Sequence, residues 1–313
     1  MTFEARLAVL CLAAFAVAGM AAATLVPGLA ARVGHAGPRR RASMLFLVRL
    51  LPVAASIALA ALVAGSLFAF EPRRHERMGV LIPGLAIFGA LLVGTAIARA
   101  VAVALATRRL LRRWMAGARP IALDGITAPA FVVEAEFPVV SVIGLLRPRV
   151  IVARRVLDAC PKDELDAILA HEQGHLDRRD NLRHALLAVA PDVLSWLPVS
   201  ARVHHAWRDA TEDAADDAAD RLGAGGRLRL AQALVTVARL APAGHDVRDL
   251  PATALYRGGG VERRVRRLLG PAPTVARVSV AARVASGLAA AGLAAAALST
   301  VQVLIEAAVH GLP

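Results

Sequence analysis

The sequence predicts an α+β membrane protein, in which apolar helices flank a polar segment holding a small sheet and a metal-binding helix. Three observations predict it. The chain of 313 residues is 57% hydrophobic with mean hydropathy +0.57, well above an ordinary soluble domain. Its 37 cations, all arginine except Lys162, give a formal charge of +13 and crowd the borders of apolar runs. One helix-prone stretch, "AHEQGHLDRRDN" from Ala170 to Asn181, sets two histidines four residues apart around a glutamate.

Four uncharged stretches are long enough to cross a bilayer as helices, which takes roughly 20 apolar residues. They are Leu7–Ala31, Leu50–Phe70, Gly79–Ala98 and Val284–Ile305. The first also resembles a secretory leader, with Arg6 ahead of an apolar core and small residues at Met20–Ala23. It continues well past that cleavage point, so a span is expected. Arg99 interrupts the third stretch without ending its helical pattern, and the arginine can snorkel or emerge among the headgroups. The expected organisation is a membrane region with three spans over 1–106, a cytoplasmic domain over 107–283 and a last span over 284–313.

Orientation follows from the arginines in short loops and near span ends. Arg99, Arg108, Arg109, Arg112, Arg113 and Arg119 follow the third span, and Arg263, Arg264, Arg266, Arg267 and Arg277 precede the fourth. This bias places the intervening segment in the cytoplasm and both termini outside. Because the charge tracks membrane borders, anionic lipid is the expected partner and direct nucleic-acid binding is not. Cys11 and Cys160 offer neither metal-ligand spacing nor a disulfide framework.

Within the polar segment, Phe131–Ala135, Val139–Ile143 and Arg149–Ala153 are β-branched and punctuated by Pro or Gly, and predict three strands. Val139–Ile143, centred on Val140, is the expected edge strand, where a polypeptide substrate would add. From Pro161 the period changes, and Leu165, Ile168, Leu169 and Leu176 mark an amphipathic helix.

On that helix His171 and His175 project from one face, one turn apart, and can share a metal ion. Two neutral imidazoles suit zinc, which then needs a third protein ligand and a position for water. Glu172 is swung around the helix from both histidines and is the candidate general base. The competing reading, a solvated polar face, fits the apolar support of the helix poorly.

The third ligand is sought in "HHAWRDATEDAADDAADRL", His204 to Leu222, where Glu212 and Asp216 fall one turn apart. Glu212 would complete the zinc site, with Asp216 hydrogen-bonded to a ligating imidazole. His204 and His205 are alternatives. The acids between Asp209 and Asp220 also fit a solvated helical face.

These motifs resemble the membrane zinc metallopeptidases of the BlaR/MecR antirepressor type, within the gluzincins. The resemblance rests on Gly144-Leu145-x-x-Pro148-Arg149, on His171-Glu172-x-x-His175, on its extension through Arg178 and Asp180, and on Glu212-x-x-x-Asp216. It covers roughly residues 130–222. It implies one zinc ion held by His171, His175 and Glu212, with Glu172 catalytic, and a winged-helix repressor in the cytoplasm as protein substrate. No Ser-x-x-Lys motif occurs and the chain stops at Pro313, so the penicillin-binding sensor domain of that type is expected to be lacking. The same motifs are similar to those of heat-shock and CAAX-processing membrane proteases. A non-catalytic membrane scaffold with a structural metal is the reading from a different class.

Three further features follow. Tyr256, the only tyrosine, is a candidate oxyanion contact beside the glycines at 258–260. "VERRVRRLLG" resembles the Arg-Val-x-x-Leu helix of related membrane proteases, with Arg264 at its arginine position and a candidate substrate contact. A basic helix resting on anionic lipid is its plainer reading. Leu228–Leu240 reads as a core helix.

Overall fold

The computed structural model describes residues 2–34, 36–70, 80–191, 198–223, 225–240 and 260–271. The expected fourth span and Tyr256 lie outside them.

Three long helices come first: α1 (Phe3–Arg32), α2 (Pro38–Phe70) and α3 (Leu81–Met115). Each is long and apolar enough to cross a membrane. Large apolar side chains such as Leu47, Ile57, Phe68, Ile87 and Leu91 stand exposed along α2 and α3, a surface suited to lipid. α2 starts well before the predicted span, so Arg39, Arg40, Arg41 and Arg49 lie within the helix. α3 runs unbroken past Arg99 and past residue 106 to Met115. α1 packs on both of the others. At Gly89 a Cβ would stand 2.2 Å from the Leu12 carbonyl oxygen, so only glycine allows α1 and α3 that close.

The chain then forms a four-stranded sheet ordered β1-β2-β4-β3, from β1 (Arg119–Ile121), β2 (Ala130–Val133), β3 (Val140–Ile143) and β4 (Arg149–Ala153). β2 and β4 are parallel and the other pairs antiparallel. β3 is an edge strand, as its sequence predicted. β1 was not legible beforehand: three residues containing Pro120, with a largely exposed pattern, carry no strand signature, and they pair only because β2 offers a free edge.

A short helix α4 (Arg154–Ala159) leads to α5 (Lys162–Arg178), α6 (Asp180–Val189), α7 (Pro198–Asp216), a 3₁₀ turn over Asp217–Leu222, α8 (Gly226–Leu240) and α9 (Val261–Leu269). One core joins the strands to α5, α8 and α9 through Val140, Ile151, Ile168, Leu230, Leu234 and Leu268. A second joins the membrane helices to α6 and α7 through Val26, Leu45, Leu187, Val203 and the fully buried Trp207. Arg49 on α2 adds a 2.5 Å hydrogen bond to Ser200 Oγ on α7. The overall class is an α+β membrane protein: mostly helical, with a small mixed sheet.

Candidate metal centre

The centre is built on α5. Asp163 and Glu164 in its first turn complement the helix dipole. Ala167 and Ile168 bury one face, and His171, Glu172 and His175 follow at 0%, 0% and 2% exposure. Three ionisable side chains at such depth require compensation. Gly174 supplies the access: a Cβ there would meet Ala218 Cβ at 3.1 Å and Ala215 Cα at 3.2 Å. Without a side chain at Gly174, α7 and its 3₁₀ extension lie directly on α5, which brings Glu212 over the two histidines.

His171 Nε2 and His175 Nε2 stand 3.2 Å apart. Glu212 Oε2 is 3.8 Å from the first and Glu212 Oε1 is 3.9 Å from the second. All three ligand atoms fall within 4.8 Å of one another. The opposite ring nitrogens are held by carboxylates: His171 Nδ1 lies 2.9 Å from Asp216 Oδ1, and His175 Nδ1 lies 2.7 Å from Asp180 Oδ2. With both Nδ1 positions donating, both Nε2 atoms turn lone pairs toward each other and toward a carboxylate.

Three ligand atoms converging within 4.8 Å of one another, with Arg264 Nη2 3.5 Å from His171 Nε2 at their margin, fit a cation. Zinc ligands at 2.0–2.1 Å in tetrahedral array sit about 3.3 Å apart, close to the histidine spacing. Imidazole and carboxylate oxygen are ligands that zinc accepts.

Charges around the cluster are arranged to keep it anionic. Arg264 on α9, 4% exposed, grips Asp216 through Nη2 to Oδ1 at 2.5 Å and Nε to Oδ2 at 3.1 Å. Its Nη1 lies 3.4 Å from Glu212 Oε2. Burial would raise the Asp216 carboxyl, but Arg264 and His171 hold it well below the usual range. Glu212 is likewise held down against burial by His175 and Arg264. Burial, aided by Arg264, pushes His171 down to about 4, so it is a neutral ligand at pH 7. For His175 burial pulls downward, yet the hydrogen bond to Asp180 and the charge of Glu212 outweigh it and raise the value.

Glu172 points elsewhere. Its Oε2 accepts a 3.1 Å hydrogen bond from the Val142 N–H on β3, while Oε1 is buried and has no hydrogen-bond partner among the described residues. Burial pushes this carboxyl up to about 8 against the opposing pull of His175. A nearby divalent charge acts in the other direction.

Of the residues singled out from sequence, His171, Glu172, His175, Glu212, Asp216 and Arg264 converge here. Val140 lies on the edge strand two residues from Val142. Its own contacts with a substrate are not part of this cluster. His204 and His205 pack instead near Trp207 and each other. Sequence reasoning gave Asp180 and Arg178 no task. Arg178 donates to Asp180 Oδ2 at 2.5 Å and to the Thr211 and Ala214 carbonyl oxygens, fixing the acid and tying the end of α5 to α7. Their regular spacing after His175 was the available signal.

Residues 126–256 match the family model described as BlaR1 peptidase M56. The matched segment contains every residue of the cluster except Arg264. No curated protein and no solved structure matches the chain. The family match and the three apolar helices support a membrane-associated peptidase.

Proposed function

We propose that the chain is a membrane zinc endopeptidase whose domain over residues 107–283 lies in the cytoplasm, between membrane regions over 1–106 and 284–313. Its proposed substrate is a cytoplasmic winged-helix repressor, cut in response to a signal. The observation that carries the enzymatic reading is the convergence of His171, His175 and Glu212 beside a buried carboxylate whose Oε1 has no other task. The cytoplasmic placement rests on the arginines that border the spans. The repressor rests on resemblance alone.

His171, His175 and Glu212 would hold the ion, with Asp216 and Asp180 fixing the two imidazoles as Nε2 ligands. The ion supplies Lewis acidity, which polarises a peptide carbonyl and acidifies water. Glu172 is anchored at Oε2 by the Val142 N–H, leaving Oε1 to take a proton from the attacking water and return it to the leaving amine nitrogen. Arg264 keeps Asp216 ionised, and so keeps the proton of His171 on Nδ1. A closed structural metal site has no use for such a base, which disfavours a scaffold.

The test is Glu172→Gln in the full-length protein in detergent with zinc. The amide oxygen can still accept from Val142, so zinc content should equal that of wild type. Peptide cleavage should fall by a factor of about 10²–10⁴. Equal cleavage by both proteins would refute Glu172 as the base, and absence of cleavage in wild type would refute the peptidase.

A further inference from the structure

The centre opens on one side into a cleft of about 580 Å³, a size that accepts several side chains. His175 and Val142 line this cleft, so whatever enters it lies alongside the β3 edge and beside one of the three candidate ligands. The remaining wall comes from the segment Thr127–Pro129 ahead of β2, from the turn between β3 and β4 and from the junction of α5 and α6.

Three arginines line this wall: Arg147 and Arg149 from the turn, and Arg179 from the junction. Among the described residues the only acid on the wall is Asp180, 1% exposed and engaged by His175 and Arg178. Among the described residues no carboxylate forms an ion pair with any of the three arginines. The guanidinium of Arg149 lies 5.6 Å from the centre of the Phe131 ring. Between the arginines the surface is apolar, with Leu145, Leu146 and Leu182, and Leu146 is 83% exposed.

Arg179 is the more informative of the three. It caps α5 in the left-handed region, φ 51° and ψ 46°, and is the one described non-glycine residue at positive φ. Glycine or asparagine normally fills that place, and a longer L side chain there is disfavoured by contact of its Cβ with the following carbonyl oxygen. An arginine kept at a strained position on the wall of the cleft points to use of its side chain.

We propose that this cleft is a substrate subsite that selects an acidic side chain, Asp or Glu, near the scissile bond of a polypeptide. The carboxylate pairs with Arg147 and Arg179, and an adjoining apolar residue covers Leu145 and Leu146. The inference rests on the centre being a peptidase. The cleft is concave and ends on His175 and a strand edge, which suits an extended chain better than a lipid headgroup.

The experiment uses full-length protein in nanodiscs of neutral lipid, as wild type, Arg147→Glu and Arg179→Asn. The asparagine suits the backbone of the cap, so the second variant guards against misfolding of the first. Cleavage of a randomised peptide library by wild type should favour Asp or Glu over Lys at one fixed position by about tenfold. Arg147→Glu should reverse that preference and Arg179→Asn should weaken it. Binding is read separately on Glu172→Gln, by the anisotropy of a fluorescein-labelled Glu-containing peptide beside its Gln counterpart. Acid-selective binding that depends on the arginines, without hydrolysis by wild type, would uphold the subsite and overturn the peptidase. Hydrolysis with no acidic preference, or with a preference that both variants retain, would overturn the subsite and leave the peptidase standing. Variants that change only the affinity for vesicles containing phosphatidylserine would also overturn it and assign these arginines to the membrane surface.

Discussion

His184 packs edge-on against Trp207 with ring centroids 4.5 Å apart, and its Nδ1 is buried with no hydrogen-bond partner among the described residues. Burial, together with the charges of Arg208 and His204, pushes it down to about 4 against the pull of Asp180 and Glu212. Its ordinary value is about 6.5. Between those values the unfolded chain binds a proton that the folded chain refuses. Stability therefore rises with pH through that window and is lost as pH falls toward 4. We expect the loss to be on the order of 2 kcal/mol. Thermal melts of wild type and His184→Phe at pH 7.5 and 5 provide the check, and parallel shifts in both would exclude His184 as the source. None of this is legible from the residue alone, since a histidine in "NLRHALL" gives no sign of the tryptophan that will cover it.

The edge strand β3 shows how an element acquires a function. Ala153 N–H donates to Val139 O, and alternation along the antiparallel ladder then turns the backbone groups of Val140 and Val142 away from β4. Val142 is already engaged, by Glu172 at its N–H and by Asn181 Nδ2 at its carbonyl. Val140 is the next outward-facing position. If a substrate adds along this edge, Val140→Pro should reduce cleavage by at least about tenfold with zinc content unchanged, because proline has no N–H to donate. Val140→Ala loses comparable packing of this buried side chain while retaining the N–H, and serves as the control. Cleavage unchanged in the proline variant would exclude strand addition here. The β-branched run predicted a strand at the sheet edge, and the strand order places it there.

On the scale of the whole molecule, α7 connects two regions. Its early turns lie against the membrane helices through Val203 and Trp207, and Glu212, a little over one turn beyond Trp207, faces the two histidines. Position of the third ligand is thus tied to the ends of α1 and α2. We expect Trp207→Ala to cost about 3–5 kcal/mol of stability. It should also weaken zinc affinity measured by competition with a chelator, although residue 207 touches no ligand. Reduced stability with unaltered affinity would show that the membrane helices do not position Glu212.

The sequence by itself determined what is local. Continuous hydropathy marked the three long helices, the β-branched runs marked β2, β3 and β4, and helical periodicity put His171 and His175 on one face of α5. Each depends on residues within a few turns of one another. Tertiary structure alone decided the closures between distant segments. It chose Glu212 over His204 by laying the far end of α7 across α5 at Gly174, and it supplied β1 from a sequence with no strand character. It brought Arg264 to Asp216 across 48 residues. The physical reason is that a buried charge can be stable only with a partner, and no local pattern states which distant residue packing will deliver.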